Sequence, residues 1–226
     1  MNDLTTIISD IHLGSDVCQA KELVDFLDHI EERSKRLILN GDVFDSMDFR
    51  RLRKHHWHIL SRLRKMSDKI EVIWVVGNHD GPAEIISHLL GVTVVDDYEF
   101  FSENKRVLVL HGHIFDEFID NYPILTKIGD MIYSFLQWID KSHYIARTAK
   151  QSSKIYLRCA ENIKNKALKK AKSKGCDIVC CGHTHHPELT TIEDIVYVNS
   201  GCWTENPSSF INICNGEIEL SFFNSN

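Results

Sequence analysis

Five apolar runs of this sequence each end in a short cluster of polar residues whose side chains can bind a metal ion. Each run is rich in β-branched residues or leucine, which predicts a strand followed by a turn. In an open α/β sheet, the carboxyl ends of the strands lie along one edge, where ligands bind, so the clusters are expected to meet there. They are Asp10-Ile11-His12, Asn40-Gly41-Asp42 with Asp45, Gly77-Asn78-His79-Asp80, His111-Gly112-His113 and Gly182-His183-Thr184-His185.

A single cluster of this kind could equally be a polar turn with a histidine packed at a strand end. Five clusters in order along the chain favour a shared site instead. Glycines beside four of the clusters allow the backbone to turn sharply. The donors are carboxylates, imidazoles and one amide, without thiolate, and this mixture suits manganese or iron better than calcium, with zinc as an alternative.

The segments between the clusters predict alternating strands and helices. Residues 18–33, 48–66, 82–90 and 114–174 are predicted to be helical, and after residue 174 the chain has only strand-like runs separated by short turns. This order predicts an α/β domain with layered, mixed sheets. Residues 114–174 are interpreted as a helical insertion, a lid or cap, within a single domain that spans 1–226.

The composition is that of an ordinary globular chain, with 43% hydrophobic and 26% charged residues among 226. The longest apolar run, 131–139, is far shorter than the roughly 18–20 residues that span a membrane, and the chain begins without a secretory signal pattern. Seven cysteines are scattered without a C-x-x-C pair, which favours reduced thiols over disulfides or a structural zinc site. We therefore expect a cytoplasmic protein.

Positive charge is concentrated in one segment. Between Lys141 and Lys174 the chain has eleven Lys or Arg residues and one acidic residue, although its net charge is −6. Such a segment suggests an anionic partner; a solvated, lysine-rich helix face is the alternative. Peripheral contact with the inner face of the membrane through this segment is a further expectation. A stable nucleic-acid partner is not expected, because the chain is acidic and lacks interleaved basic and aromatic residues.

The five clusters, in this order, resemble the motifs of the calcineurin-like metallophosphoesterases, and they span residues 10–185. The resemblance implies a four-layer αββα sandwich of two mixed sheets with two divalent metal ions at its edge. Manganese is the expected ion, and iron, zinc and magnesium are alternatives. One ion would be bound by Asp10, His12, Asp42 and His185. The other would be bound by Asp42, Asn78, His111 and His183, so that Asp42 bridges the pair.

The same resemblance implies hydrolysis of a phosphoester or diphosphate bond. Two nearby cations polarise a bridging water to hydroxide and neutralise charge on the phosphoryl group. His79 would then be catalytic, protonating the leaving oxygen, and Asp45 would orient and charge its ring; capping a helix is the alternative for Asp45. Asp80 is expected to support the ligands from behind. His113 is not needed in this ligand set. It is expected either to support the ligands from behind or to face the substrate.

The position of the basic insertion and the tail YVNSGCWTENPSSFI resemble the UDP-2,3-diacylglucosamine diphosphatase branch, whose members cleave a nucleotide-linked lipid. This resemblance implies a lid whose apolar face accepts acyl chains, while Arg147, Lys150 and Lys154 meet phosphate oxygens. The best-known members carry arginine and aspartate where this chain has His79 and His113. Another phosphorylated substrate, including a nucleic acid cleaved by a nuclease, is the first alternative. A non-catalytic interaction scaffold with the same fold is the second.

Overall fold

The computed structural model describes residues 3–116 and 154–224. In these residues the chain forms eleven strands and four helices. The strands are β1 (Thr5–Ile8), β2 (Arg36–Asn40), β3 (Glu71–Val75), β4 (Thr93–Val95), β5 (Asp97–Ser102), β6 (Lys105–Leu110), β7 (Ile178–Cys181), β8 (Glu188–Ile192), β9 (Ile195–Asn199), β10 (Ser208–Cys214) and β11 (Glu217–Phe223). The helices are α1 (Ala20–Glu31), α2 (Lys54–Met66), α3 (Ala83–Leu90) and α4 (Lys154–Lys174).

The strands form two mixed sheets. The first sheet has the order β11-β10-β1-β2-β3-β4. Strands β1 to β4 are parallel to one another. Strand β10 pairs antiparallel with β1, and β11 pairs antiparallel with β10. The second sheet has the order β5-β6-β7-β9-β8, with β6, β7 and β9 parallel and an antiparallel strand at each edge. The parallel pairing brings the carboxyl ends of β1, β2 and β3 together, and likewise those of β6 and β7.

Alternate side chains of the central strands face different layers. In β1, Ile7 packs between the two sheets, whereas Ile8 packs beneath the helices. In β6, Val109 lies between the sheets and Leu110 lies in the cluster formed with α4. Because successive side chains of a strand point to opposite faces, these doubly covered strands are apolar throughout. The layers are thus α1–α3, the first sheet, the second sheet and α4, which confirms the predicted sandwich.

Helix α4 is a structural layer of this sandwich. Its residues Ala167, Leu168 and Ala171 pack with Leu108 and Val179 of the second sheet. Two of these three residues are alanines, and the helix around them is rich in lysine. The buried face of the helix is therefore narrow. The range 114–174, interpreted from the sequence as a helical insertion within the domain, includes this helix, which packs on the second sheet.

The predicted insertion is described only at its two ends. His113–Phe115 form a 3-10 turn, and Lys154–Lys174 form α4. Residues 117–153 lie outside the described residues, so the lid stays a prediction. Among the helices that the structure describes, none has both the length and the apolar character required to cross a membrane.

Two strands differ from the sequence prediction. The run 92–98 has the apolar, β-branched pattern of one strand, but it is divided between β4 in the first sheet and β5 in the second. Strand β8 was not predicted at all, and it lies at the edge of the second sheet. Most of its side chains are exposed or half-buried, so it lacks the apolar alternation that indicates a strand.

Candidate metal centre

The polar clusters that follow β1, β2, β6 and β7 meet at one edge of the sandwich. Within the first sheet, the backbone amides of Asp10 and His12 donate to the carbonyl oxygens of Gly41 and Asp42, each at 3.0 Å. Between the sheets, the backbone amide of His183 donates to Oδ2 of Asp10 at 3.0 Å. These hydrogen bonds link the strand ends of the two sheets to one another.

The first group of potential ligands consists of Asp10, His12 and His185, whose ligand atoms all lie within 4.8 Å of one another. Oδ1 of Asp10 is 3.2 Å from Nε2 of His185. Nδ1 of His12 lies 3.3 Å from Oδ1 of Asp45, which leaves Nε2 of His12 facing the group. The structure therefore brings together three of the four residues predicted for the first ion.

The second group consists of Asp42, His111 and His183, again within 4.8 Å. Nδ1 of His111 donates to the carbonyl oxygen of Asn40 at 2.8 Å, so Nε2 is available to a metal when the ring is neutral. An outer acceptor of this kind fixes the tautomer and the ring orientation of metal-binding histidines. Three of the four residues predicted for the second ion are thus assembled.

Asp42 connects the two groups. Its Oδ2 lies 3.2 Å from Nε2 of His111 and 3.9 Å from Nε2 of His12. Its Oδ1 accepts the backbone N–H of His79 at 2.9 Å. One carboxylate oxygen therefore faces a histidine of each group, as a bridging ligand would.

Several atoms of the site are buried and have no hydrogen-bond partner. They include Oδ1 of Asp10, Nε2 of His12 and Nε2 of His111. Within the described residues, the first and the last have only ion-pair contacts, each at 3.2 Å, with His185 and Asp42. A buried polar atom without a partner costs about 1–3 kcal/mol, and each such atom in a native structure calls for an explanation. Divalent cations would satisfy all three, so these residues fit the ions that the family resemblance implies.

Five predicted ligands have left-handed backbone conformations, which are uncommon for residues other than glycine. Such conformations cost about 1–3 kcal/mol each and concentrate at functional sites. The site therefore holds strain that the surrounding fold must support. The φ values are 54° for Asp10, 53° for His12, 52° for Asp42, 67° for His183 and 57° for His185.

Two glycines are required by close packing around the carboxylates. A Cβ at Gly77 would lie 2.2 Å from Oδ1 of Asp42, and one at Gly182 would lie 2.7 Å from Oδ2 of Asp10. Neither position has room for a side chain without moving the carboxylate beside it. These glycines therefore allow the loops after β3 and β7 to approach the site.

The charges of the site shift the pKa values of its members. Burial raises the pKa of Asp10, but His185 and His111 outweigh burial and lower it to about 2. Burial likewise opposes ionisation of Asp42, while His111 and His12 lower its pKa. Burial lowers the pKa of His111, but Asp42 and Asp10 raise it to about 9. The ionised carboxylates of Asp10 and Asp42 and the protonated ring of His111 therefore stabilise one another.

His79 lies at the exposed rim of the site. Its Nδ1 is 2.9 Å from the main-chain carbonyl oxygen of Asp45. The sequence predicted that the Asp45 carboxylate would orient this ring, but that carboxylate contacts Nδ1 of His12 at 3.3 Å and Nη1 of Arg51 at 2.5 Å. Because a carbonyl oxygen only accepts, Nδ1 of His79 carries a hydrogen, and Nε2 is the nitrogen left for proton transfer.

The loop after β3 contains two further residues singled out from the sequence. Asn78 follows Gly77 with an exposed side chain. Oδ1 of Asp80 accepts the backbone N–H groups of Val43 and Phe44, each at 3.1 Å, and Oδ2 accepts that of Gly77 at 2.9 Å. Asp80 thus ties the loops after β2 and β3 together from behind the ligands.

The ring of His113 lies beside the second group, 5.5 Å between centroids from His111 and 6.5 Å from His183. Burial, together with the proximity of His111 and His183, lowers the pKa of His113 to about 4. Asp116 was not predicted as a site residue, yet its Oδ2 lies 2.9 Å from Nε2 of His183. Its place three residues beyond His113, within reach of the next strand end, is the signal that could have found it.

The basic side chains that were predicted to bind the substrate lie outside the described part of the chain. Arg147 and Lys150 lie outside the described residues. Lys154 is the first residue of α4, and its side chain is likewise outside the described part. Their contact with phosphate oxygens stays a prediction.

Solved structures with this fold include proteins of different kinds, and at these sequence identities the likeness concerns the fold alone. A novel archaeal phosphodiesterase is 15% identical over 97% of this chain and 99% of that chain, with a TM-score of 0.55. The phosphoesterase YfcE from E. coli is 19% identical over 98% and 100%, with a TM-score of 0.53. Vacuolar protein sorting 29 from Cryptosporidium parvum is 14% identical over 98% and 96%, with a TM-score of 0.52.

Sequence comparison assigns the family. Curated protein sequences give no match to the chain. The family model of the calcineurin-like phosphoesterases matches residues 4–187, a span that includes all five polar clusters. This chain belongs to the calcineurin-like phosphoesterase family.

Proposed function

We propose that this chain is a hydrolase of phosphoester or diphosphate bonds that depends on two divalent metal ions. The observation that carries the proposal is the position of Asp42, whose Oδ2 faces Nε2 of His12 on one side and Nε2 of His111 on the other. Two cations held in this way would supply an activated water for in-line attack and would neutralise charge on the phosphoryl group. The donor set favours manganese, with iron, zinc or magnesium as alternatives.

The residues around the ligands would prepare the reaction. His79, fixed by its Nδ1 bond to the Asp45 carbonyl, would carry a second proton on Nε2, as the imidazolium, and give that proton to the leaving oxygen. A positioned acid of this kind contributes about 10²–10⁴-fold to the rate. The exposed side chain of Asn78, beside His79, would complete the predicted ligands of the second ion.

A nucleotide-linked lipid diphosphate is our candidate substrate, by the resemblance of the insertion and tail to the UDP-2,3-diacylglucosamine diphosphatases. Two exposed apolar side chains on elements that flank the second group support this choice. Ile114 is 58% exposed in the turn after His113, and Leu157 is 46% exposed in the first turns of α4. Apolar side chains at these places would accept the acyl part of such a substrate.

A non-catalytic scaffold is the alternative function, because one structure with the same fold is a vacuolar protein sorting protein. The complete set of acidic and imidazole ligands favours catalysis, since a scaffold has no need for unpartnered buried ligand atoms. One measurement distinguishes the catalytic function from the scaffold function. A scaffold does not turn over phosphate esters when loaded with metal.

The test is hydrolysis of bis-p-nitrophenyl phosphate by purified protein with added Mn²⁺. We expect turnover that is lost with a chelator and restored by Mn²⁺. His111→Ala should abolish it, and His58→Ala, at an exposed histidine of α2, should retain it as a matched control. Absence of turnover with the metal bound would support the scaffold instead.

A second assay addresses the substrate. UDP-2,3-diacylglucosamine should be converted to UMP and the lipid monophosphate. Turnover of the generic diester without turnover of this substrate would remove the lipid diphosphate proposal and leave the phosphoesterase proposal intact.

A further inference from the structure

Asp116 makes a hydrogen bond with each carboxylate oxygen. Oδ2 lies 2.9 Å from Nε2 of His183, and Oδ1 accepts from the thiol of Cys159, with an oxygen–sulfur distance of 3.3 Å. The side chains of Asp116 and His183 are each only 9% exposed. The carboxylate is thus buried against a predicted metal ligand and anchored on its far side by α4.

We propose that Asp116 is a positioning residue that fixes the ring of His183 so that Nδ1 faces the second metal ion. A neutral imidazole has one N–H and one free nitrogen. With Nε2–H donated to Asp116, the free nitrogen is Nδ1. The carboxylate of Asp116 is not in the group that Asp42, His111 and His183 form within the described residues, so it acts on the ligand from outside.

The other histidine of the group is held in an equivalent way. Nδ1 of His111 donates to the carbonyl oxygen of Asn40 at 2.8 Å, so each imidazole of the second group donates its N–H to an oxygen behind it. A carboxylate in that role also makes the ring a more basic ligand than a carbonyl does, and loss of such a partner costs about 10–100-fold in metal affinity.

Helix α4 supports both the carboxylate and the loop that carries the ligand. The hydroxyl of Tyr156 donates to the carbonyl oxygen of Thr184 at 2.6 Å, next to His183 in the chain. Cys159, one turn further along α4, donates to Asp116. The first turns of α4 therefore hold His183 through its neighbouring backbone and through Asp116.

The experiment measures Mn²⁺ binding to wild type and variants by isothermal titration, with electron paramagnetic resonance to detect spin coupling between two ions. In Asp116→Ala we expect one of the two sites to lose about 10–100-fold in affinity and the coupled signal to disappear at low Mn²⁺, while the other site is unchanged. Asp116→Asn, whose amide oxygen can accept the same N–H without the negative charge, should restore part of the lost affinity. Glu161→Ala is the matched control, because this carboxylate of α4 is 56% exposed and pairs with Lys164.

This inference rests on the proposed two-metal site. The titration of wild type distinguishes failure of that site from failure of the role assigned to Asp116. If wild type binds fewer than two Mn²⁺ ions, the proposed function fails. If wild type binds two and Asp116→Ala binds both with unchanged affinity, only the role of Asp116 is overturned. Equal loss in Asp116→Ala and Asp116→Asn would also overturn it, because an acceptor alone would then be insufficient.

Discussion

Nδ1 of His79 lies 2.9 Å from the main-chain carbonyl oxygen of Asp45. Because this contact uses the backbone, it does not depend on the side chain at position 45. The Asp45 carboxylate instead contacts His12 and Arg51. The proposed proton donor, His79, and a predicted metal ligand, His12, are thus both contacted by one residue, through different groups.

Removal of the His79 imidazole should slow the reaction without removing the metal. His79→Ala should lower kcat by about 10²–10⁴-fold, because Nε2 would no longer protonate the leaving oxygen. Metal content, measured by mass spectrometry of the elements, should match wild type. A variant with full metal and full turnover would show that His79 has no catalytic role.

Asp45→Asn should separate the two functions of that residue. The backbone bond to His79 should persist, so proton donation should be retained. The loss of charge beside His12 should weaken metal binding at the first group, and a titration with Mn²⁺ measures this change. A fall in kcat at saturating metal would contradict the backbone role and restore the carboxylate as the orienting group.

His111 and His113 should differ in their effect on the metal. His111→Ala removes an atom that faces Asp42 at 3.2 Å and should abolish binding of one ion. His113→Ala should leave two ions bound and change the rate or the substrate preference. Elemental analysis after dialysis against dilute Mn²⁺ distinguishes them, and equal losses would place His113 among the ligands.

Metal binding near neutral pH should release protons. The pKa of His111 in the metal-free protein is raised to about 9, so the ring is charged at pH 7 and must become neutral to bind an ion. Titrations in buffers with different ionisation enthalpies should give different apparent enthalpies at pH 7. The difference should shrink as the pH rises through about 9, and buffer-independent enthalpies at pH 7 would contradict the charged ring.

Gly77→Ala should disturb the site more than the fold. Its Cβ would lie 2.2 Å from Oδ1 of Asp42, so the carboxylate must move and Mn²⁺ affinity should fall. Gly175→Ala is the control, because its Cβ would meet nothing within 4 Å; its φ of +66° should cost about 1–2 kcal/mol of stability. Unchanged Mn²⁺ affinity in Gly77→Ala would argue against the assigned position of Asp42.

Much of this arrangement follows from the sequence, because strand ends in a layered α/β fold share an edge. The polar clusters after β1, β2, β6 and β7 meet as predicted. The helices also agree closely, as in the predicted 18–33 and the observed Ala20–Glu31. Apolar spacing carries this information directly, since it decides which face of each element is buried.

The remaining features depend on geometry that no pattern encodes. The partner of His79 is a carbonyl oxygen, and every residue has one, so the sequence favours the carboxylate by chemistry alone. Asp116 reaches His183 from a distant part of the chain. In α4, the buried stripe of Ile163, Ala167 and Ala171 consists largely of alanine, and its weak apolar signal among lysines reads as a solvated helix.

The most direct measurement of the central claim is electron paramagnetic resonance of the protein loaded with two equivalents of Mn²⁺, with the same measurement on Asp42→Ala. Two ions that share the Asp42 carboxylate should give a spin-coupled spectrum in wild type, and the variant should lose the coupling together with hydrolysis of bis-p-nitrophenyl phosphate. Two isolated Mn²⁺ signals in wild type, or a coupled spectrum that persists in Asp42→Ala, would contradict a metal pair bridged by this residue.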